Sequence, residues 1–213
     1  MANRTVIHLL RHGEVYNPDG VLYGRLPNFH LSELGREMAQ RVADATADRD
    51  IVTVMASPME RAQETAAPIA AAHDLPIEIN ENLIEGDNKF EGQVVGGPDR
   101  LLKNPQMWRH LWNPLRPSWG EPYAEIAQRM LSAIDLAREE AAGHEALLVS
   151  HQLPIWIARL DLEDRNYVHD PRSRQCALAS LTSLTYTDDV LTAVVYTEPA
   201  ADLVEKSNKG VGA

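Results

Sequence analysis

The sequence has a single cysteine, Cys176, among 213 residues. One cysteine excludes an intramolecular disulfide framework and a paired-cysteine metal or redox motif. Positive charge is also scarce, since 20 Lys and Arg stand against 31 Asp and Glu and the formal net charge is -11. Nucleic acids and anionic membrane surfaces require basic faces, so neither is an expected partner. A small anionic ligand is still compatible with this charge, because the local field in a pocket matters more.

Long hydrophobic runs are missing as well. No apolar segment approaches the length that spans a bilayer, and the apolar run near the N-terminus is too short for a secretory signal. We therefore expect a cytoplasmic protein. The length suits one domain over residues 1–213, with an insertion or lid at about residues 86–122 and a flexible tail at about 200–213. The lid prediction depends on the absence of a clear period and on five prolines and three tryptophans, Trp108, Trp112 and Trp119.

Short apolar segments alternate with helical patterns along the chain. This alternation predicts an α/β fold with a mainly parallel sheet. A final pair of β-branched runs predicts a hairpin at the sheet edge. Strands are predicted at residues 6–10, 51–57, 75–79 and 145–150, the hairpin at 181–196, and helices from about Ser32, over 57–73 and over 123–143.

The second predicted helix carries specific start and stop signals. Ser57 is predicted as its N-cap, with Pro58 in the first turn and Glu60 completing a capping box. Pro68 is expected to kink or break this helix, because proline removes a backbone donor and crowds the preceding turn.

Four of the predicted strands are followed by polar residues that suit one site. Ligands bind beyond the carboxyl ends of parallel strands, so we expect these residues to lie together. They are Arg11 and His12 after the first strand, Ser57 and Arg61 after the second, Glu85 after the third, and Ser150 and His151 after the fourth.

Two arginines with two histidines are what a phosphoryl group requires. A guanidinium group binds phosphate bidentately, through two parallel N–H···O hydrogen bonds, and it stays charged throughout the physiological pH range. Nearby positive charge favours the neutral imidazole, which can attack phosphorus and form a covalent intermediate. One carboxylate can then protonate the leaving oxygen and later activate water.

Four motifs carry these residues in a fixed order: LLRHGE, SPMERAQETA, LIEGDNKFEG and LLVSHQ. Over about residues 5–153 they resemble the histidine phosphatase superfamily, also called phosphoglycerate-mutase-like. The resemblance implies a three-layer α/β/α sandwich whose mainly parallel sheet has an antiparallel edge strand. It also implies a phosphomonoester hydrolase that uses a phosphohistidine and no cofactor or metal, with a small phosphorylated substrate or inorganic phosphate as its partner.

The resemblance assigns a role to each matching residue. It implies that His12 is the nucleophile, that Glu85 is the acid and base, and that Arg11, Arg61 and His151 hold the transferred group. The residues implied to bind phosphate or substrate are Arg11, Asn17, Gly24, Arg61, His151 and Gln152. Arg172 and Arg174, which precede the hairpin, are expected to be solvated charges.

Three alternatives are weighed against this interpretation. A phosphoglycerate mutase shares the site, but the metabolic mutases are longer and carry Glu-Arg-His-Tyr-Gly where this chain has Glu85 followed by Gly-Asp-Asn-Lys. A phosphate-binding or interaction module without turnover is disfavoured because all five catalytic groups are present. A metal site at His8 and His12 is disfavoured because their segment is a predicted strand and a neighbouring arginine repels a cation.

Overall fold

The computed structural model describes residues 3–94 and 120–207. Most of the predicted lid, including its three tryptophans, and the last residues of the predicted tail lie outside these ranges. The helices are α1 (Glu33–Thr46), α2 (Glu60–Ala72), α3 (Tyr123–Glu140), α4 (Gln152–Leu162) and the short α5 (Ala201–Val204), and the strands are β1 (Arg4–Arg11), β2 (Ile51–Ala56), β3 (Ile77–Ile79), β4 (Glu145–Ser150), β5 (Leu181–Thr187) and β6 (Val190–Thr197).

The described strands form one six-stranded sheet in the order β3-β2-β4-β1-β5-β6. Strands β3, β2, β4 and β1 are parallel, whereas β5 pairs antiparallel with both β1 and β6. The predicted α/β sandwich with a mainly parallel sheet is confirmed. The antiparallel strand is β5, one position in from the edge, because the hairpin places β6 outermost. The hairpin turn uses Asp188 and Asp189, both with positive φ.

Two hydrophobic cores lie on opposite faces of the sheet. Ile7 and Leu9 of β1 pack into the core that α3 and α4 cover, and Leu10 packs into the core that α1 and α2 cover. This division follows from the pleat, which turns successive side chains to opposite faces. Burial of both faces of β1 explains why its sequence is almost continuously apolar.

The start of α2 differs from the prediction. The helix begins at Glu60 with Met59 as its N-cap residue, and no side chain caps it. Ser57 is not the cap, because its hydroxyl is used by His151 across the sheet. The helix also continues past Pro68 to Ala72, so the predicted break is wrong. The buried face of α2 holds the helix against the sheet and outweighs the one backbone hydrogen bond that proline removes.

The middle of β1 contains a buried histidine. The two ring nitrogens of His8 lie 2.7 Å from Ser183 Oγ and 2.8 Å from Glu145 Oε2. Both nitrogens are therefore engaged, which leaves none for a metal shared with His12. His8 ties β1 to its two neighbours, β4 and β5.

Part of the tail that we expected to be flexible is folded. Helix α5 begins just after Ala200, and Leu203 packs into the core beneath α1 and α2. No helix among the described residues is long and apolar enough to cross a membrane.

Candidate active site

The site lies where the carboxyl ends of β1 and β4 meet. Arg11 is opposite Ser150 in the parallel register, so the next residues, His12 and His151, leave the sheet side by side. Their rings meet edge to face, with 5.1 Å between centroids, and both side chains are fully buried. The convergence that the strand ends predicted therefore occurs.

His12 is held in one tautomer by the backbone. Its Nδ1 lies 2.8 Å from the carbonyl oxygen of Gly13, and because a carbonyl can only accept, Nδ1 carries the proton. Nε2 is left as a lone pair that is buried without a partner among the described residues. Gly13 makes this turn possible, since a Cβ there would lie 2.5 Å from the carbonyl oxygen of Gly35.

The electrostatic surroundings keep His12 neutral. Burial holds the pKa of His12 well below its ordinary value, and the charges of Arg61 and Arg11 lower it further. The pKa of His151 is lowered by the same causes, with burial again the largest. A neutral imidazole with a free Nε2 lone pair is the form of histidine that can attack phosphorus.

Arg61 lies in the first turn of α2, where a cation gains nothing from the helix dipole. Its Nη2 donates to the carbonyl oxygen of Gly24 at 2.6 Å and to His151 Nδ1 at 3.2 Å. A guanidinium only donates, so His151 carries its proton on Nε2 and donates it to Ser57 Oγ at 2.8 Å. Ser57 and Arg61, both from the SPMER motif, thus orient the second histidine.

Glu85 is buried beside the two histidines. Its Oε1 accepts from the Gly86 N–H at 2.8 Å, and its Oε2 lies 4.0 Å from His151 Nδ1. Burial raises the pKa of Glu85, while the Gly86 N–H and the charges of Arg61 and Arg11 oppose that rise. A carboxyl group whose pKa is raised can hold a proton and donate it, as a general acid must.

Several polar atoms around His12 Nε2 have no hydrogen-bond partner within the described residues. They are Arg11 Nε, Arg61 Nε and Nη1, His12 Nε2 and Glu85 Oε2. Leaving charged donors buried and unpaired is costly, so a bound anion would stabilise them. Donors from two guanidinium groups beside the buried histidine pair suit the oxygens of a tetrahedral anion. No cluster of residues able to hold a metal ion occurs in the part of the chain that the structure describes.

The other predicted binding residues have different positions. The Asn17 amide is used by the backbone of Val21, at 2.8 Å and 3.0 Å, so it closes its own loop instead of facing the histidines. Gly24 has a φ of 40° and presents its carbonyl to Arg61. Gln152 begins α4, and its amide lies 3.4 Å from both the Cys176 carbonyl and Arg174 Nη1.

Two residues of the site were missed by the sequence analysis. Tyr23 is buried, and its ring lies 4.8 Å from the guanidinium carbon of Arg61. Burial raises the pKa of Tyr23, so the phenol stays neutral beside this cation. Arg174, expected to be a solvated charge, is half-buried and lines a cavity together with Glu85. Both residues lie in irregular segments, where no period marks the direction of a side chain.

Comparison with protein families gives a match over most of the chain. The model of the histidine phosphatase superfamily (branch 1) matches residues 7–199. The uncharacterized protein Rv0525 of Mycobacterium tuberculosis is 59% identical over 201 residues, which cover 94% of this chain and all of the relative. A probable phosphoglycerate mutase, GpmB of Yersinia pestis, is 30% identical over 155 residues, which are 70% of each protein.

Solved structures resemble this fold along nearly its whole length. The mycobacterial glucosyl-3-phosphoglycerate phosphatase Rv2419c superposes with a TM-score of 0.67 and 25% identity, covering 87% of this chain and 91% of that one. YhfR of Bacillus stearothermophilus gives a TM-score of 0.71 at 23% identity, covering 91% and 95%. The second likeness concerns the fold alone.

Proposed function

The chain belongs to the histidine phosphatase superfamily (branch 1), and on that premise we propose that the protein hydrolyses small phosphomonoesters through a phosphohistidine at His12. The observation that carries the proposal is the group of buried, unpaired polar atoms around His12 Nε2. A phosphoryl group placed among them receives donors from Arg11 and Arg61 and faces a neutral nucleophile.

In the first step, the Nε2 lone pair of His12 attacks phosphorus and the bond to the ester oxygen breaks. Glu85 gives its proton to that oxygen, so the alcohol leaves neutral and the carboxylate is left ionised. Arg11 and Arg61 hold the phosphoryl oxygens while charge moves from the nucleophile to the leaving group, and the second histidine, His151, is held beside them by Arg61 and Ser57. Catalysis here depends on positioning and on preorganised charge.

In the second step, water attacks the phosphohistidine from the side that the alcohol has left. The Glu85 carboxylate takes a proton from this water as the oxygen–phosphorus bond forms. The bond between phosphorus and Nε2 breaks, its electron pair returns to His12, and inorganic phosphate leaves. The buried Oε2 of Glu85 has no protein partner among the described residues, which suits a group that exchanges a proton with each reactant.

A phosphoglycerate mutase is the second candidate, favoured by the 30% identity to a probable enzyme of that type. One observation supports the hydrolase instead. The chain has Gly-Asp-Asn-Lys after Glu85, unlike the Arg-His-Tyr-Gly of the metabolic mutases that it resembles.

Phosphate release from p-nitrophenyl phosphate and from a panel of alkyl phosphates, with EDTA present, tests the proposal. We expect wild-type turnover, loss of activity in His12→Ala, and an acid-labile phosphoprotein in wild type only. His144→Ala is the matched control, because His144 is exposed and pairs with Asp50 far along β4 from the site. Equal turnover by wild type and His12→Ala contradicts the phosphohistidine at His12, whereas phosphate binding without any turnover by wild type identifies a binding module. Isomerisation of 3-phosphoglycerate with 2,3-bisphosphoglycerate, without net phosphate release, identifies a mutase.

A further inference from the structure

The arginines of the described residues fall into two groups, those that pair with a carboxylate and those that do not. All but three of them lie within 4.0 Å of a carboxylate oxygen. The three exceptions are Arg11, Arg61 and Arg174. Arg11 and Arg61 are the proposed phosphate-binding arginines, and each has a reason to lack a carboxylate, because a paired guanidinium cannot receive a second anion. Arg174 shares this property without an assigned role.

Hydrogen bonds to neutral groups hold the Arg174 side chain in place. Its Nε donates to His169 Nε2 at 2.8 Å, and its Nη1 lies 3.4 Å from Gln152 Oε1. His169 is fixed in turn, because its Nδ1 donates to the Tyr167 carbonyl at 2.6 Å. These contacts orient the guanidinium and leave its charge uncompensated, and Nη2 has no hydrogen-bond partner among residues 3–94 and 120–207.

Arg174 lines the same cavity as the proposed catalytic carboxyl group. This cavity of about 160 Å³ is lined by Gly24, Glu85, Tyr123, Pro171 and Arg174, among other residues. Arg174 is also joined to the phosphate site, because Gln152 and Arg11 both donate to the carbonyl of Cys176. The space beside the proposed phosphoryl position therefore contains a third fixed cation in addition to Arg11 and Arg61.

The acidic residues that line this cavity do not compensate that cation. Glu121 is already paired with Arg25 and Arg129, each at 2.8 Å. Asp87 is exposed and more than 4.0 Å from Arg174, and Glu85 carries a proton when substrate binds in the proposed mechanism. An anionic group on the substrate is thus the partner that the arrangement lacks.

We propose that Arg174 binds a second anionic group of the substrate, a carboxylate or a second phosphate, and so selects phosphomonoesters that carry one. This inference rests on the proposed function at His12. A half-buried guanidinium that lines a substrate cavity and keeps one donor without a partner among the described residues favours a ligand that satisfies it and disfavours an analogue without the anion.

Matched pairs of compounds test the proposal. 3-Phosphoglycerate and glycerol 3-phosphate differ in a carboxylate against a hydroxymethyl group, and fructose 1,6-bisphosphate and fructose 6-phosphate differ in the second phosphate. For each compound, KM or, where turnover is slow, the inhibition constant against p-nitrophenyl phosphate is measured. We expect wild type to favour the anionic member of at least one pair. The pair that shows this preference identifies the group as a carboxylate or a phosphate.

Arg174→Gln is expected to raise the KM or inhibition constant of the anionic member of the preferred pair about 10- to 100-fold, and to change that of the neutral member less than about twofold. Arg174→Lys is expected to recover part of that loss, because it restores the charge without the guanidinium geometry. Arg172→Gln is the matched control, since Arg172 is exposed, pairs with Asp170 and lies only two residues away. Thermal unfolding of each variant confirms that the fold is intact.

Two results overturn the inference while leaving the hydrolase standing. One is His12-dependent turnover in which Arg174→Gln leaves both members of each pair unchanged. The other is an equal loss of activity of Arg174→Gln on both members of each pair, together with a shifted pH profile of kcat. That result indicates that Arg174 acts through the proton of Glu85. Activity that does not depend on His12 refutes the proposed function itself, so the two failures are distinct.

Discussion

Replacing Glu85 by Gln separates the chemistry of the leaving group from the rest of the mechanism. The amide keeps the shape of the side chain and can still accept the Gly86 N–H, which lies 2.8 Å from Oε1 in the native protein. It removes only the proton that the buried Oε2 gives and takes. General acid catalysis contributes about 10²- to 10⁴-fold, equivalent to about 3–5 kcal/mol of activation free energy.

That loss is expected only where the leaving group needs a proton. An alkyl phosphate such as glycerol 3-phosphate releases a strongly basic alkoxide, so kcat/KM of Glu85→Gln should fall by the full factor. p-Nitrophenolate leaves as a stable anion, so formation of the phosphoenzyme from p-nitrophenyl phosphate should fall by less than about tenfold. Stopped-flow measurement of the p-nitrophenol burst isolates this step from hydrolysis of the phosphohistidine.

The pH dependence of kcat/KM provides a second test of the role of Glu85. Burial raises the pKa of Glu85, and the first step requires the protonated form, so kcat/KM on alkyl phosphates should fall as pH rises through that raised pKa. Glu85→Gln should lack this alkaline limb. Glu81→Gln, an exposed glutamate in the preceding turn, is the control. An equal loss in the burst rate on p-nitrophenyl phosphate and in kcat/KM on alkyl phosphates would refute the assignment of Glu85 as the acid.

Three further predictions concern stability and binding. Ser57→Ala leaves the His151 Nε2–H buried without its acceptor and should lower the free energy of unfolding by about 1–3 kcal/mol in urea titrations, with a loss of kcat. Glu145→Gln should destabilise the protein at pH 7. The hydrogen bond to His8 is the largest cause of the lowered pKa of Glu145. The ionised Glu145 therefore contributes stability above the carboxyl pKa of the unfolded state, and this stability is lost as the pH falls through the lower pKa of the folded state. The urea midpoints of Glu145→Gln and wild type should therefore converge in acid. Inorganic phosphate at 100 times its Kd should stabilise wild type by about 2.7 kcal/mol in thermal unfolding but leave Arg61→Met unchanged, and an equal shift in both contradicts the anion site.

The convergence of the candidate site residues could be predicted from the sequence, because the topology of the sheet decides where the strand ends lie. Once four strands are predicted as parallel, the residues after them converge whatever the loops do, as His12 and His151 show. The register that places Arg11 opposite Ser150 then sets His12 beside His151. The fold prediction held for the same reason, since buried strands with two apolar faces require helices on both sides.

Ser57 shows where local patterns mislead. A serine followed three residues later by a glutamate is typical of a capping box, yet the hydroxyl here accepts from His151 at 2.8 Å and, at 3.4 Å, from the Met59 N–H, which lies before the first residue of the helix. Both uses need the same small hydroxyl at the end of a strand, so the pattern alone does not distinguish them. Pro68 is the converse case, where packing of the helix face outweighs a local rule.

Loop residues were predicted least well, for a physical reason. Strands and helices fix the direction of a side chain through their periods, whereas an irregular segment fixes it only through contacts with other segments. Asn17 was given a phosphate contact from the family resemblance, whereas its amide hydrogen-bonds the backbone of Val21 in its own loop. Tyr23 and Arg174 could not be assigned to the site before the loops that carry them were placed against the sheet.

The uncompensated charge of the site explains why an aromatic ring covers Arg61. A buried guanidinium is unstable without a partner, and a carboxylate would stabilise it while occupying the donors that phosphate needs. The Tyr23 ring, 4.8 Å from the guanidinium carbon, attracts the cation through its quadrupole and accepts no hydrogen bond. Gly24, the next residue, presents its carbonyl to Nη2 alone and leaves Nε and Nη1 free for the ligand. This loop therefore stabilises the cation without neutralising it, so a chain with a formal net charge of -11 keeps a positive pocket at the end of its sheet.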